Sequence, residues 1–258
     1  MDALTVHLEG TGFWSPRWAD WNTAARALRG EAAAAGSAAK PAALALPPGE
    51  RRRAPDLVLL ACEIAAQACA AAGRAASDLP CVFVSAHGDL ATADAICSTL
   101  ASAPREVSPT RFHNSVHNAA AGYWTVATGC HAASTAIAAG SASLAAGLLE
   151  AALQTLDEGR PVLLAAYDVV AHNPLAETVR VRNTLGAAFV LNGEPGPHGR
   201  ATLRLRHEAQ SAAYADAHEA SNASTVALPL LEALARGGPA TLRLPSGVHG
   251  SLLVEVLA

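Results

Sequence analysis

The stretch GSASLAAGLLEAALQTLDEGRPVLLAAYD, Gly140 to Asp168, places a glycine turn, an alanine-rich helix and a buried strand in direct succession. Ser141 and Ser143 sit at the turn, and the helix behind them is apolar on nearly every side to about Asp157. RPVLLAAYD then runs apolar without alternation, the pattern of a strand covered on both faces. CVFVSA, beginning at Cys81, has the same character. Strands of this kind need a helical layer above and below, and alanine-rich helices pack closely enough to supply it. A tight turn feeding such a helix is also a place where enzymes often mount a nucleophile.

Outward from this stretch, LTVHLEG alternates and ends in glycine, as a strand does. Trp18 and Trp21, three apart, are expected to share a helix face with Trp14 nearby, as a packing staple. Residues 30–50, rich in Gly, Ala and Pro, read as a loop. From Pro55 to Gly73 the pattern predicts a helix with Asp56 in its first turn and a terminal glycine. DLATADAICSTLASAP predicts a helix stopped by Pro104, and SPTRFHNSVHN introduces another, AAAGYWTVATG. GAAFVLN and GRATLRLRH, separated by GEPGPHG, read as an antiparallel hairpin. STVALPLLEALARGG reads as a short helix interrupted by Pro229, and ATLRLP with GSLLVEVL as a closing strand pair. Strands alternating with helices, then paired strands, imply one α/β domain around a mostly parallel sheet.

At 258 residues with 51% hydrophobic side chains, the chain is globular and long enough to bury a sizeable core. No run approaches the roughly 18 uninterrupted apolar residues of a spanning helix. MDALTVHLEG lacks a basic and then apolar leader, so the expected location is the cytoplasm. A net charge of −4 without a long basic run argues against nucleic acid and membrane as partners. Arg51–Arg53, the one basic cluster, reads as a solvated helix approach, with an acidic partner as the alternative. Lys40 is the only lysine and lies in the loop-like stretch, badly placed for a buried catalytic role. The five cysteines form no CxxC pair, so neither a disulfide framework nor a zinc knuckle is suggested.

Four groups could carry chemistry. His113 and His117 are four apart, which on a helix puts both imidazoles on one face. Zinc would need a third ligand, and no HExxH accompanies the pair. Polar packing at an interface, together with Asn114 and Asn118, is the competing reading. Cys130 is the most plausible thiol nucleophile, although its neighbour His131 is too close in sequence to meet it readily. Ser141 at a helix start is either an N-cap or an anion-facing nucleophile, and no Gly-x-Ser-x-Gly elbow surrounds it. Asp168 and Tyr167, ending a buried strand, could face a crevice.

The order of these pieces resembles the β-ketoacyl synthases, members of the thiolase-like fold. The likeness runs through most of the first 208 residues. It is carried by GTGFWSP, ERRRAPDLVLLACEIAAQACAAAG, CVFVSAHG and SPTRFHNSVHNAAAGYWTVATG, the last with its Asn and Ala-Ala-Gly at what would be the subunit interface. In that family the nucleophilic cysteine begins a helix with a Glu-Ala pair nine and ten residues on. Counting back nine from Glu150 in LAAGLLEA lands on Ser141. The resemblance therefore implies a degenerate nucleophile position at Ser141, with Cys130 as an outside candidate. The family's two histidines and lysine belong to a second half that is here reduced to a short end, of which SGVHGSLLVEVL is similar to the closing turn and strand. The implied fold is one largely complete βαβαβαββ half with a strongly truncated second half. It is a single domain over 1–258, with residues 209–258 as the remnant, a helix plus a closing strand pair.

The pattern is similar to the short β-ketoacyl synthase-like, N-terminal group, whose members resemble chain-length factors and accompany a competent synthase in aryl-polyene and related type II polyketide pathways. It implies a subunit without activity alone, and without a catalytic residue, cofactor or metal of its own. The implied partner is a full-length β-ketoacyl synthase in a heterodimer, with acyl carrier protein reached through that complex. Phe112, His113, Asn114, His117, Asn118, Tyr123 and Trp124 are the implied interface and tunnel residues. Two other readings compete: a Ser- or Cys-dependent acyltransferase or thioesterase using Ser141 or Cys130, and an acyl-chain or carrier-protein binding module.

Overall fold

A computed structural model describes residues 3–31, 40–172, 174–179, 181–209, 222–247 and 250–257. Among them, eight strands form one sheet in the order β3-β2-β4-β5-β1-β6-β8-β7. They are β1 (Leu4–Trp14), β2 (Cys81–Val84), β3 (Ser134–Ile137), β4 (Val162–Asp168), β5 (Leu185–Asn192), β6 (Ala201–Glu208), β7 (Ala240–Pro245) and β8 (Ser251–Leu257). β2 and β4 are buried along their whole length, as their unbroken apolar runs require.

Helices cover both faces. α3 (Asp56–Ala72) and α6 (Ala119–Thr128) pack on one, where Leu60, Ile64 and Trp124 join Phe83 and Tyr167. α1 (Trp21–Leu28), α7 (Ser143–Glu158) and α9 (Leu228–Arg236) lie on the other, where Leu144 and Leu148 meet Val84, Leu164 and Phe189. Each such leucine, fully withdrawn from water, contributes about 1.5–3 kcal/mol before its entropy is subtracted. α3 stops at Gly73, whose φ of 63° lets its N–H and that of Arg74 close on the Ala70 and Cys69 carbonyls. The remaining helices are α2 (Pro48–Arg53), α4 (Leu90–Ser102), α5 (Pro109–Asn114) and α8 (Leu175–Val179). None of the described helices is long and apolar enough to cross a membrane.

Several expectations are corrected. The sheet is parallel only at β3-β2-β4, and every other pairing is antiparallel. Helical crossovers force parallel pairing between β2, β3 and β4, whereas β5 turns back against β4. β5 and β6 are not a hairpin, because β1 lies between them. Its eleven residues pair with β6 over Leu4–Leu8 and with β5 over His7–Trp14, and the register shifts at Glu9. Pro229 does not interrupt a helix. A 3₁₀ turn, Ala223–Ala227, precedes it and Pro229 opens α9, where its missing N–H costs nothing. Trp18 precedes α1 and shares no helix with Trp21. Within the expected loop over 30–50, Pro48–Glu50 already belong to α2, while 32–39 lie outside the described residues.

Candidate functional site at the carboxyl ends of the parallel strands

β2, β3 and β4 point the same way, so their carboxyl ends open onto one edge of the sheet, where α/β folds place ligands. Val84 is followed there by Ser85, Ala86 and His87, Ile137 by the turn into α7, and β4 ends at Asp168.

Asp168 is the hub. It is 3% exposed, and its Oδ1 accepts from Ser85 Oγ at 2.9 Å and from the Ala86 N–H at 3.0 Å. Its Oδ2 accepts from Ser224 Oγ at 2.6 Å. Burial pushes its carboxyl above the ordinary range, against those hydrogen bonds and the nearby His87, which pull it down. Asn222 donates from Nδ2 to the carbonyls of Asp168 and Asn183, at 3.1 and 2.9 Å. The segment Asn222–Ala227 is thereby tied over the strand ends. His117 completes the arrangement by donating from Nε2 to the Ser85 carbonyl at 2.9 Å.

Under this network lies a cavity of about 180 Å³, lined by His87, Gly140, Ser141, Val179, Val181 and Asn222. Ser141 faces it from the 3₁₀ turn Gly140–Ala142. It does not cap α7. Ser143 holds the turn instead, accepting from the Ala139 N–H at 2.9 Å and donating to the Gly140 carbonyl at 2.7 Å. Ser141 and His87 share the cavity wall, yet no hydrogen bond joins them among the described residues. Both oxygens of Asp168 are committed to Ser85, Ala86 and Ser224, and among the described residues no carboxylate is hydrogen-bonded to the His87 ring.

The thiols lie elsewhere. Cys130 is buried with its Sγ donating to the Leu79 carbonyl at 3.3 Å, while His131 is exposed, so the two form no dyad. Burial pushes the Cys62 and Cys69 thiols up to about 12 and Cys81 to about 11, which keeps them protonated and inert. Cys97 is exposed on α4.

His113 and His117 do not share a helix face, because α5 ends at Asn114. His117 turns to Ser85, whereas His113 meets the Tyr123 ring edge-on at 6.4 Å. No group of three His, Cys, Asp or Glu residues among those described could hold a metal. Tyr123 donates from its hydroxyl to Asn114 Oδ1 at 3.1 Å, and Asn114 is buried. His113, Asn118 and Tyr123 line a surface groove of about 390 Å³ with Val116 and Val126. Phe112 stands beside it, 66% exposed. Trp124 turns inward to the core, its indole N–H without a partner among the described residues, and Tyr167 is likewise sealed in the α3 layer. His87 and Ser224 were missed in the sequence. The strand-end rule that marks Asp168 also marks His87, but Ser224 reaches the site from 56 positions away.

Residues 18–245 match the family described as "Beta-ketoacyl synthase, N-terminal domain". No curated protein matches the chain. Among solved structures it is similar to "Ketosynthase (ApeO) in Complex with its Chain Length Factor (ApeC) from Xenorhabdus doucetiae", at 22% identity and a TM-score of 0.72, covering 98% of this chain and 99% of that one. It is also similar to "The ishigamide ketosynthase/chain length factor", at 14% identity and a TM-score of 0.71, covering 98% and 100%. A third is "AntDE:AntF (apo): type II PKS acyl-carrier protein in complex with its ketosynthase bound to the hexaketide", at 11% identity and a TM-score of 0.75, covering 100% of both chains. At these identities the likenesses show the fold, which is thiolase-like. With most of its length matched by the family profile, the chain belongs to the β-ketoacyl synthase N-terminal domain family.

Proposed function

We propose that the protein is a chain-length-factor-like subunit that pairs with an active β-ketoacyl synthase and shapes its acyl tunnel, in aryl-polyene or related polyketide or fatty-acid-like synthesis in the cytoplasm. The observation that carries this reading is the free edge of β3, which is paired on one side only among the described residues. α6 packs against β3 from one face and α7 from the other. They expose Val126, 80% accessible, and Leu153, 52% accessible. An open strand edge flanked by apolar side chains is a surface that proteins cover. The strand–turn–helix elbow beside it offers Ser141 where a condensing enzyme needs a thiolate, and Cys130 donates to the Leu79 carbonyl instead. Residues 209–258 are then the remnant of a second half, and their described elements are the 3₁₀ turn Ala223–Ala227, α9 and the β7–β8 pair. In this reading His113 and Tyr123 of the groove, with the exposed Phe112, would limit a partner's tunnel, where overfilling costs about 1–3 kcal/mol.

Co-expression with a candidate β-ketoacyl synthase, followed by native mass spectrometry, tests the pairing. A heterodimer is expected, lost on Val126→Glu or Leu153→Glu. A lone monomer, or carbon–carbon bond formation by the isolated chain, overturns the reading.

The shared wall of Ser141 and His87 favours one second reading, a serine-dependent acyltransferase or thioesterase. It requires an adduct on Ser141 after treatment with an electrophilic acyl probe.

A further inference from the structure

α1, α9 and β1 line a cleft of about 610 Å³. Its floor is Leu8 and the buried Thr11 of β1, and Trp21 and Leu234 supply apolar wall. Three arginines line it: Arg26 and Arg29 from α1 and its end, and Arg200 from the residue before β6.

Their partners leave positive charge in excess. Arg29 is fixed, donating from Nε and Nη2 to Glu31 at 2.5 and 3.1 Å and from Nη1 to the Ala235 carbonyl at 3.2 Å. Among the described residues the Arg200 guanidinium donates only to carbonyls, those of Glu9 at 3.4 Å and of Ala71 in α3 at 3.3 Å. Arg26 enters none of the ion pairs among the described residues, and Glu31, which its charge helps to hold low, is already paired with Arg29. Three guanidiniums therefore answer to one carboxylate, which does not line the cleft. In a chain of net charge −4 this is a local concentration and not a generally basic surface. Planar guanidinium forks match the oxygens of phosphates and carboxylates, and the apolar wall suits a short carbon chain.

We propose that this cleft binds a small amphiphilic anion, a phosphate or carboxylate headgroup on a short apolar body. The site is separate from the β3 edge and does not rest on pairing with a synthase.

Isothermal titration of the full chain with hexyl phosphate, hexanoate and hexanol tests it. Both anions are expected to bind saturably and more weakly as salt rises, with hexanol failing to bind. Tighter binding of hexyl phosphate assigns a phosphate ester, and tighter binding of hexanoate a carboxylate. Arg26→Gln, at an exposed position without an ion pair, is expected to fold normally and weaken the anion about tenfold or more, the loss of one charge-assisted hydrogen bond. Arg200→Gln provides a second, independent variant. Absence of saturable binding by either anion, equal affinity for hexanol, or unchanged affinity in both folded variants overturns the proposal.

Discussion

Ser224 Oγ stands 2.6 Å from Asp168 Oδ2, so the turn before α9 is fastened to the last residue of a fully buried strand. The bond closes the roof of the cavity that Ser141 faces. It also sets how that roof responds to substitution and to pH.

Asp168→Asn keeps an acceptor for Ser85 and Ala86 and offers Ser224 a donor, so it is expected to cost less than Asp168→Ala. The alanine strands buried donors at about 1–3 kcal/mol each. Burial raises the Asp168 carboxyl in the fold, so the folded chain holds this proton more tightly than the unfolded one. Its contribution is fully present below the ordinary carboxylate value and is lost as pH rises toward the raised one. Urea unfolding at several acidic and neutral pH values should show that downward trend in wild type relative to Asp168→Asn. Parallel curves for the two proteins would refute it.

Glu9 has the opposite sign. It sits at the register shift of β1, fully buried, and accepts from Arg74 Nε and Nη2 at 2.8 Å each and from Asn192 at 2.9 Å. Burial raises its carboxyl, but these bonds outweigh burial and hold it below the usual range. Its stabilisation is present above the ordinary carboxylate value and disappears as pH falls through the lowered one. Arg74→Ala, which leaves a buried carboxylate without its partner, should cost about 3–5 kcal/mol in chemical denaturation. Glu9→Gln should cost less, because Arg74 is 35% exposed and water can replace its partner. The reverse order would contradict this account of the pair.

Gly12 lets α3 lie directly on β1. A Cβ there would stand 2.0 Å from the Ile64 carbonyl oxygen, an obstacle of backbone that cannot rotate aside. Gly12→Ala is expected to destabilise by about 3 kcal/mol or more, above the usual range for overpacking a side chain. A thermal midpoint within a degree or two of wild type would contradict this packing.

Native labelling with a maleimide at neutral pH should modify Cys97 alone. Cys62, Cys69, Cys81 and Cys130 are buried, three of them with thiols raised to about 11 or 12. All five should react after unfolding, and intact mass reads both states. Fast native modification of Cys130 would restore it as a nucleophile candidate.

Much of this architecture is written locally. The apolar run and Gly73 define α3, and the turn at Gly140, the helix to Glu158 and the buried strand to Asp168 follow from periodicity and punctuation. The polar network is less legible. The place of Asp168 at a strand end marks it, but its partners Ser85 and Ser224 lie 83 and 56 positions away. His117, expected beside His113, instead reaches Ser85 because α5 ends before it.

The amino-acid order alone determined which segments coil, which extend and which must be sealed from water, since these depend on neighbours within a turn or two. Only the assembled chain decided that β1 would pass between β5 and β6, that Trp124 and Tyr167 would face inward, and that three arginines would share one cleft. Those outcomes rest on hydrogen-bond ladders and packing between residues nearly two hundred positions apart, such as His7 with Asn192, and no local pattern encodes such partners.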